Sequence, residues 1–185
     1  MKRIILSIIA IISGISLNAQ SGEEIIGRIA KAGEKGFTIE RKFNEVRKSA
    51  GKKAVTLDGD LKWKDGNLVM DYSNGEHFSI EGTRMTIRRG GKQQVFDLTK
   101  NMMMKALSHA LTYSFEGKLM ELSKEQNTNL VATRDGKEYV VTLNATRKAA
   151  RGYNRIVVRY DTATCCIKSM IMDEFNGTST SYTIE

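Results

Sequence analysis

The chain contains no proline, and among its 185 residues there are only two histidines, two cysteines and one tryptophan. The two cysteines are adjacent, Cys165-Cys166, so they lack the two intervening residues of a CxxC redox pair. Neighbouring cysteines bridge each other only through a strained ring, so these read as small, half-buried residues at a strand start. An intermolecular disulfide in an oxidising compartment is the other reading. Histidine is too scarce for familiar hydrolytic sites. His77 sits in strand register between Glu76 and Phe78, and His109 sits in a helical segment. Neither has a Cys or Asp at nucleophile spacing, and neither H-E-x-x-H nor G-x-S-x-G occurs. His109 is expected to be packed or exposed rather than catalytic. Asp71 and Asp173-Glu174 are isolated acids on strands, expected to face solvent or to pair with Arg155 and Arg159. No helix opens after Gly90-Gly91-Lys92, so it is a hairpin loop and not a phosphate loop. These absences leave no visible enzyme site, no metal cluster and no cofactor motif. The missing proline carries no functional reading.

Charge of one sign is not concentrated anywhere. Lys and Arg number 29 against 21 Asp and Glu, a formal net charge of +8. The nearest approach to a basic block is Arg41-Lys42, Arg47-Lys48 and Lys52-Lys53, in a strand-and-turn region with few aromatics. That pattern argues against nucleic-acid binding. Moderate basicity suits anionic lipid headgroups, acidic partners or plain solubility. The apolar run at the N-terminus has a clear form. Lys2-Arg3 is a positive n-region, Ile4 to Leu17 is apolar, and Ala19 is a small residue at the cleavage position. The run is shorter than the ~20 residues needed to cross a bilayer. It reads as a secretory signal peptide over residues 1–19, with Gln20 opening the mature chain. The cleavage region holds no Cys, so lipid attachment is not expected there. One domain, residues 20–185, remains, with a net charge of +6 once Lys2 and Arg3 are gone.

The richest stretch runs from Gly59 to Leu98. Leu61 and Trp63, then Leu68, Met70 and Tyr72, alternate with polar residues. Phe78 and Ile80, Met85 and Ile87, and Phe96 and Leu98 continue the alternation. Between the runs sit Asp65-Gly66-Asn67, Ser73-Asn74-Gly75, Glu81-Gly82-Thr83 and Gly90-Gly91. Period two with regular turns predicts an antiparallel meander, one face apolar and one polar. Such a face must be buried against something.

Upstream, Ser21-Gly22-Glu23-Glu24 forms a capping box ahead of Ile25, Ile26, Ile29 and Ala32, which predicts a short amphipathic helix ended by Gly33 and Gly36. Strands are expected over Phe37–Val46 and Ala54–Lys64. After the meander, Met103, Ala106, Leu107, Ala110 and Leu111 fall at helical steps, and the helix is expected to run on loosely from Phe115 to Leu122. Strands resume at Asn129–Thr133, Glu138–Asn144, Tyr153–Tyr160, Ile167–Phe175 and Thr178–Glu185, with Asp135-Gly136 and Asn176-Gly177 as hairpin turns. The expected fold is mainly β with α: about ten antiparallel strands in one curved sheet, with two or three short helices. A sheet of this size tends to curl towards a barrel, and the helices then plug or cover the apolar concave side. Eight of the nine methionines lie beyond the initiator, spread over strands and helix. They suit either ordinary core packing or an adaptable apolar lining.

Gly59-Asp60-Leu61-Lys62-Trp63-Lys64, Leu68-Val69-Met70-Asp71-Tyr72 and Phe78-Ser79-Ile80-Glu81-Gly82 resemble the opening sheet of the periplasmic lipoprotein-carrier (LolA-like) family. Ile156 to Asp161, Thr164, Ile167 and Phe175 to Tyr182 are similar to that family's closing strands. The resemblance covers nearly the whole mature chain. It implies a half-open antiparallel barrel with a helical lid, whose cavity holds the acyl chains of a lipoprotein as the carrier crosses the periplasm from inner to outer membrane. On this resemblance Phe43, Leu61, Trp63, Leu68, Met70, Tyr72, Phe78 and Ile80 would line the cavity. Met102, Met103 and Leu107 would belong to the lid. The implied partners are acylated lipoproteins, an inner-membrane lipoprotein-releasing transporter and an outer-membrane acceptor, with the carrier a monomer. The family often places a basic residue followed by Pro before the strand at Leu68, and that residue helps latch the lid. Here the chain reads Lys64-Asp65-Gly66-Asn67, so Lys64 is left to take the basic role without the Pro. A binding protein for another lipid or apolar ligand, an enzyme on the same fold and a filled-core interaction module are the alternatives. Cavity size separates the last from a carrier.

Overall fold

The structure, a computed structural model, describes residues 20–36, 38–148 and 152–185. The expected signal peptide, and Phe37 of the expected first strand, lie outside the described residues. Helix α1 spans Gly22–Glu34 and buries Ile25, Ile26 and Ile29. Ser21 Oγ accepts from the Glu24 amide at 3.2 Å, one half of the capping box. The other half does not form, because the Glu24 carboxylate accepts instead from Gln20 and Arg28.

Ten-residue strands β1 (Ile39–Lys48) and β2 (Val55–Lys64) lead into the meander β3 (Asn67–Tyr72), β4 (His77–Glu81), β5 (Arg84–Arg89) and β6 (Lys92–Asp97). Helices α2 (Met102–Glu116) and α3 (Leu119–Gln126) follow. A second meander comprises β7 (Thr128–Asp135), β8 (Glu138–Ala145), β9 (Tyr153–Asp161), β10 (Ile167–Glu174) and β11 (Ser179–Ile184). The described residues form 11 strands in one sheet, against an expectation of about ten, in the order β6-β5-β4-β3-β2-β1-β11-β10-β9-β8-β7. Every pairing is antiparallel. The first and last strands meet in the middle, with Phe43 opposite Ile184 and Glu45 opposite Tyr182. That pairing joins the two meanders. Strands β6 and β7 are the two outer edges and do not pair, so the sheet is a half-open barrel with helices over its concave side.

Two glycines fix where the helices go. Gly33 does not end α1 as expected but lies within it. A Cβ there would stand 1.8 Å from the Glu116 carbonyl oxygen, so its bare backbone lets α1 cross the end of α2. Gly117, at φ +71, stops α2 in the left-handed conformation, and a Cβ there would stand 2.7 Å from the Ile29 oxygen. The helix expected to run on through Leu122 is therefore broken into α2 and α3 by a residue that a side chain could not replace. In β2, Gly59 answers to the same constraint. A Cβ there would lie 2.2 Å from the Asp71 oxygen, so the strand continues across it in close contact with β3.

The contrast between two glycines of α1 tests this packing. Gly27 has nothing within 4 Å of a built Cβ. Gly27→Ala should stabilise the protein by about 0.5–1 kcal/mol through helix propensity. Gly33→Ala should lose about 1–3 kcal/mol through overpacking despite the same propensity gain. Urea unfolding of the two variants gives the signs directly.

Candidate functional site

The inward-facing residues of successive strands line up across the sheet. Trp63 pairs with Leu68 and Leu68 with Ile80, while Leu61 pairs with Met70 and Met70 with Phe78. Seven of the expected lining residues, Phe43, Leu61, Trp63, Leu68, Met70, Tyr72 and Ile80, are buried on this concave face, and Phe78 is half-buried. The second meander supplies an equal apolar wall that the sequence reading did not single out, including Val141, Ile156, Val158, Met170 and Met172. The same alternation runs through those strands and was the available signal.

Helix α2 lies along this wall. Leu111 and Phe115 pack on Leu61, Leu68, Met70 and Met170, and the space left among them is about 10 Å³. The Phe115 ring stacks on Trp63 with centroids 5.1 Å apart and planes 20° from parallel. The Tyr160 hydroxyl donates to the Ser114 carbonyl at 2.8 Å. The helix is turned relative to the expected face. Met104, Leu107, Ala110, Leu111 and Phe115 meet the core, whereas Met102 and Met103 are 73% and 58% exposed. Adjacent helical residues point about 100° apart, so a stripe centred on Met104 and Leu111 leaves Met103 outside. Leu107 is half-buried at the edge of the stripe. The rest of what α2 buries is small and polar: Ser108, Thr112 and Ser114. Ser114 Oγ donates back to the Ala110 carbonyl at 2.7 Å, which satisfies it within the helix. Lys64, expected as a latch, ends β2 as an exposed residue, and its side chain makes no hydrogen bond or ion pair among the described residues.

The α2 N-terminal end of the concavity is different in kind, and sequence reasoning missed it. Alternation on β1 carries Phe43, Glu45 and Arg47 to the inward side. Glu45 is 2% exposed. Arg47 donates to both Glu45 oxygens, through Nη2 at 2.9 Å and also through Nε, and to Glu76 at 3.2 Å. The Tyr72 hydroxyl donates to Glu45 at 2.5 Å, and Arg89 Nε donates to Glu76 at 2.8 Å. Burial works against the Arg47 charge, but the hydrogen bond and charge of Glu45 and the hydrogen bond to Glu76 outweigh it and hold the guanidinium above its ordinary pKa. Burial similarly opposes the Glu76 charge, yet the hydrogen bonds from Arg89 and Arg47 keep its carboxyl below the usual range. The network borders a cavity of about 190 Å³ whose apolar walls include Phe78, Ile87, Leu107 and Met172. The signal was on the page: a Glu and an Arg on the apolar parity of an otherwise greasy strand.

Elsewhere the polar groups are paired locally. His77 meets Asp71 at 2.7 Å, and His109 meets Glu125 between α2 and α3. Asp173 pairs with Arg155, as expected, whereas Arg159 pairs with Glu138 and Asp135. Among the described residues, no three His, Cys, Asp or Glu side chains converge as a metal site. Cys165 and Cys166 are both free. Desolvation by burial pushes the Cys165 thiol up, away from the reactive thiolate.

Several tyrosines are buried or half-buried. Burial raises the pKa of Tyr72, Tyr153, Tyr160 and Tyr182, helped at Tyr72 by the Glu45 carboxylate. A folded pKa above the unfolded value of about 10 contributes stability that is complete below that pH and is lost as pH rises through the folded value. An ultraviolet titration should therefore ionise only part of the six tyrosines near pH ~10, the rest appearing together with unfolding. Smooth ionisation of all of them near that pH, with the fold intact, would place the four in solvent.

No family model matches the chain, and no curated protein matches it. Solved structures do. A LolA superfamily protein from Nitrosomonas europaea is similar over 90% of this chain and 92% of its own, at 10% identity and a TM-score of 0.38. A putative outer membrane lipoprotein-sorting protein domain from Vibrio parahaemolyticus is similar over 87% of this chain and 89% of its own, at 15% identity and a TM-score of 0.43. The lipoprotein LppX of Mycobacterium tuberculosis is similar over 87% of this chain and 92% of its own, at 14% identity and a TM-score of 0.35.

Proposed function

We propose that the concave face is a binding surface for apolar chains, covered by α2 until cargo displaces it. On this reading the protein is an exported carrier that holds the acyl chains of lipoproteins in the periplasm and passes them from inner to outer membrane. It takes cargo from a lipoprotein-releasing transporter and delivers it to an outer-membrane acceptor.

One observation carries the reading: what α2 presents to the wall. A permanent core helix would meet a large apolar sheet with large apolar side chains. This one buries Ser108, Ala110, Thr112 and Ser114, with only Leu111 and Phe115 large and fully buried and Met104 and Leu107 half-buried against the core. Full burial of Leu111 and Phe115 is worth about 2–3 kcal/mol each and half-burial of Met104 and Leu107 about 1 kcal/mol each, and an acyl chain gains about 0.8 kcal/mol per methylene. Roughly ten methylenes then supply about 8 kcal/mol, close to what lifting those side chains costs. Loading is therefore near balance, as reversible transfer requires. The N-terminal signal of residues 1–19 supports export. A carrier of another lipid would use the same wall, and the polar mouth beside Leu107 serves this second reading equally.

Trp63 is the chain's only tryptophan and lies stacked on Phe115, so it reports on the lid directly. Adding an acylated lipopeptide or a long-chain monoacylglycerol to the mature protein should shift and change the intensity of its emission, saturating at about one equivalent. Emission unmoved by any long-chain amphiphile would remove the carrier reading and leave a filled-core module.

A further inference from the structure

The mouth at the α2 N-terminal end is built with parts that an apolar container does not need. Desolvation offsets most of the attraction in a buried ion pair, so the Glu45–Arg47 pair is poorly explained by stability. The sheet is also deformed there. On β9 and β10, Arg155 pairs with Asp173 but Tyr153 pairs with Glu174, so Asn154 is skipped in a β-bulge. The bulge turns Tyr153, rather than Asn154, towards the cavity. Bulges re-aim side chains in this way beside functional sites.

Tyr153 and Tyr182 both line the cavity, and neither hydroxyl has a hydrogen-bond partner among the described residues. Burial keeps both phenols protonated, so each has a proton to donate. Glu174 also lines the cavity, with the Asn176 amide at 3.0 Å as its side-chain partner among the described residues. The charges do not cancel. Glu45, Glu76 and Glu174 face the two guanidiniums of Arg47 and Arg89, and the other titratable side chain besides the phenols, His77, is held by the Asp71 carboxylate, which leaves the mouth with an excess of negative charge. Phe78, Ile87, Leu107 and Met172 connect this polar end to the greasy wall.

Resting on the acyl-chain reading above, we propose that the mouth holds the uncharged, oxygen-rich head of an acylglyceryl ester and rejects a free carboxylate. The phenols donate to ester carbonyl or hydroxyl oxygens, and Glu174 accepts from a hydroxyl or amide N–H. A fatty-acid carboxylate entering the same space meets uncompensated negative charge in a partly desolvated site. An acylglyceryl head belongs both to a free acylglycerol and to the modified N-terminus of a lipoprotein, so the chemistry is shared and the source is decided by experiment.

The experiment is displacement of an uncharged environment-sensitive dye from the mature protein, at mildly alkaline pH where a fatty acid is ionised. The competitors are a monoacylglycerol, the fatty acid of equal chain length and a diacylglyceryl lipopeptide. The ester ligands should displace the dye at about tenfold lower concentration than the acid. Glu174→Gln should bring the two midpoints together. Tyr153→Phe combined with Tyr182→Phe should weaken the ester ligands about three- to tenfold and leave the acid where it was. A tighter lipopeptide names the lipoprotein as the source, and an equally tight monoacylglycerol names free lipid. Ester and acid displacing equally from the unaltered protein would overturn the mouth proposal and leave the acyl-chain reading standing. Displacement by none of the three would overturn both.

Discussion

The contact between α2 and the concave face of the sheet is the constraint on which the rest of the molecule depends. Eleven antiparallel strands place their inward side chains on one curved surface, and that surface cannot be left in water. Helix α1 and helix α3 pack on β7 and on α2, and α2 places Leu111 and Phe115 between Leu61, Leu68 and Met70 on one meander and Ile167 and Met170 on the other. Its placement follows from two backbone contacts. Gly33 admits the α2 C-terminus against α1, and Gly117 turns the chain sharply enough that α3 does not continue into the cavity. The helix is thus anchored firmly at its C-terminal end, where Phe115 stacks on Trp63 and Tyr160 holds the Ser114 carbonyl. Its other end is capped by Asn101 alone and leads off with exposed methionines. A helix held at one end and loose at the other is suited to hinge.

The two ends of the concavity also differ in chemistry. Under Leu111 and Phe115 the surface is apolar and filled, and beyond Phe115 a cavity of about 380 Å³ opens between Trp63, Glu116 and Lys118. Under the loose end, Glu45, Arg47, Tyr72 and Glu76 form a connected network with open space beside it. An amphiphile has the same division along its length. Lifting the loose end of α2 would open the apolar wall from the side where polar groups already stand, so the chain would enter past the mouth and the head would remain there. Buried networks of this kind rigidify what they join. Here β1, β2's neighbour β3 and the β3–β4 turn are tied together, which keeps the mouth in shape when the helix above it moves.

Much of the fold was legible because its signals are local. Alternation in Leu68, Met70 and Tyr72, turn pairs such as Asp65-Gly66, and the Ser21 cap are each set by neighbours in sequence. The break at Gly117 was not legible, because its cause is the Ile29 backbone far away in the chain. The rotation of α2 that exposes Met103 was missed for a related reason. Three consecutive methionines offer equal hydrophobicity at every angle, and only the sheet decides among them. The concave lining was read from apolar residues, and so the polar end bordered by Glu45, Arg47 and Glu174 was overlooked. Period-two alternation already put Glu45 two places after Phe43 on the same face, and a charged residue at an apolar register position was the signal to follow.

The proposed carrier role requires α2 to be a removable occupant of the concave face rather than a permanent part of the core. Native-state hydrogen exchange, resolved by peptide, tests it most directly. The account predicts that amides of Met104–Leu111 exchange through a local opening far cheaper than global unfolding, while those of β2 and β9 exchange only with the whole molecule. It also predicts that a bound long-chain acylglyceryl ligand changes protection along α2 and leaves the sheet as it was. If α2 amides instead exchange at the global rate, with or without ligand, the helix is core, and the concave face is not a binding site.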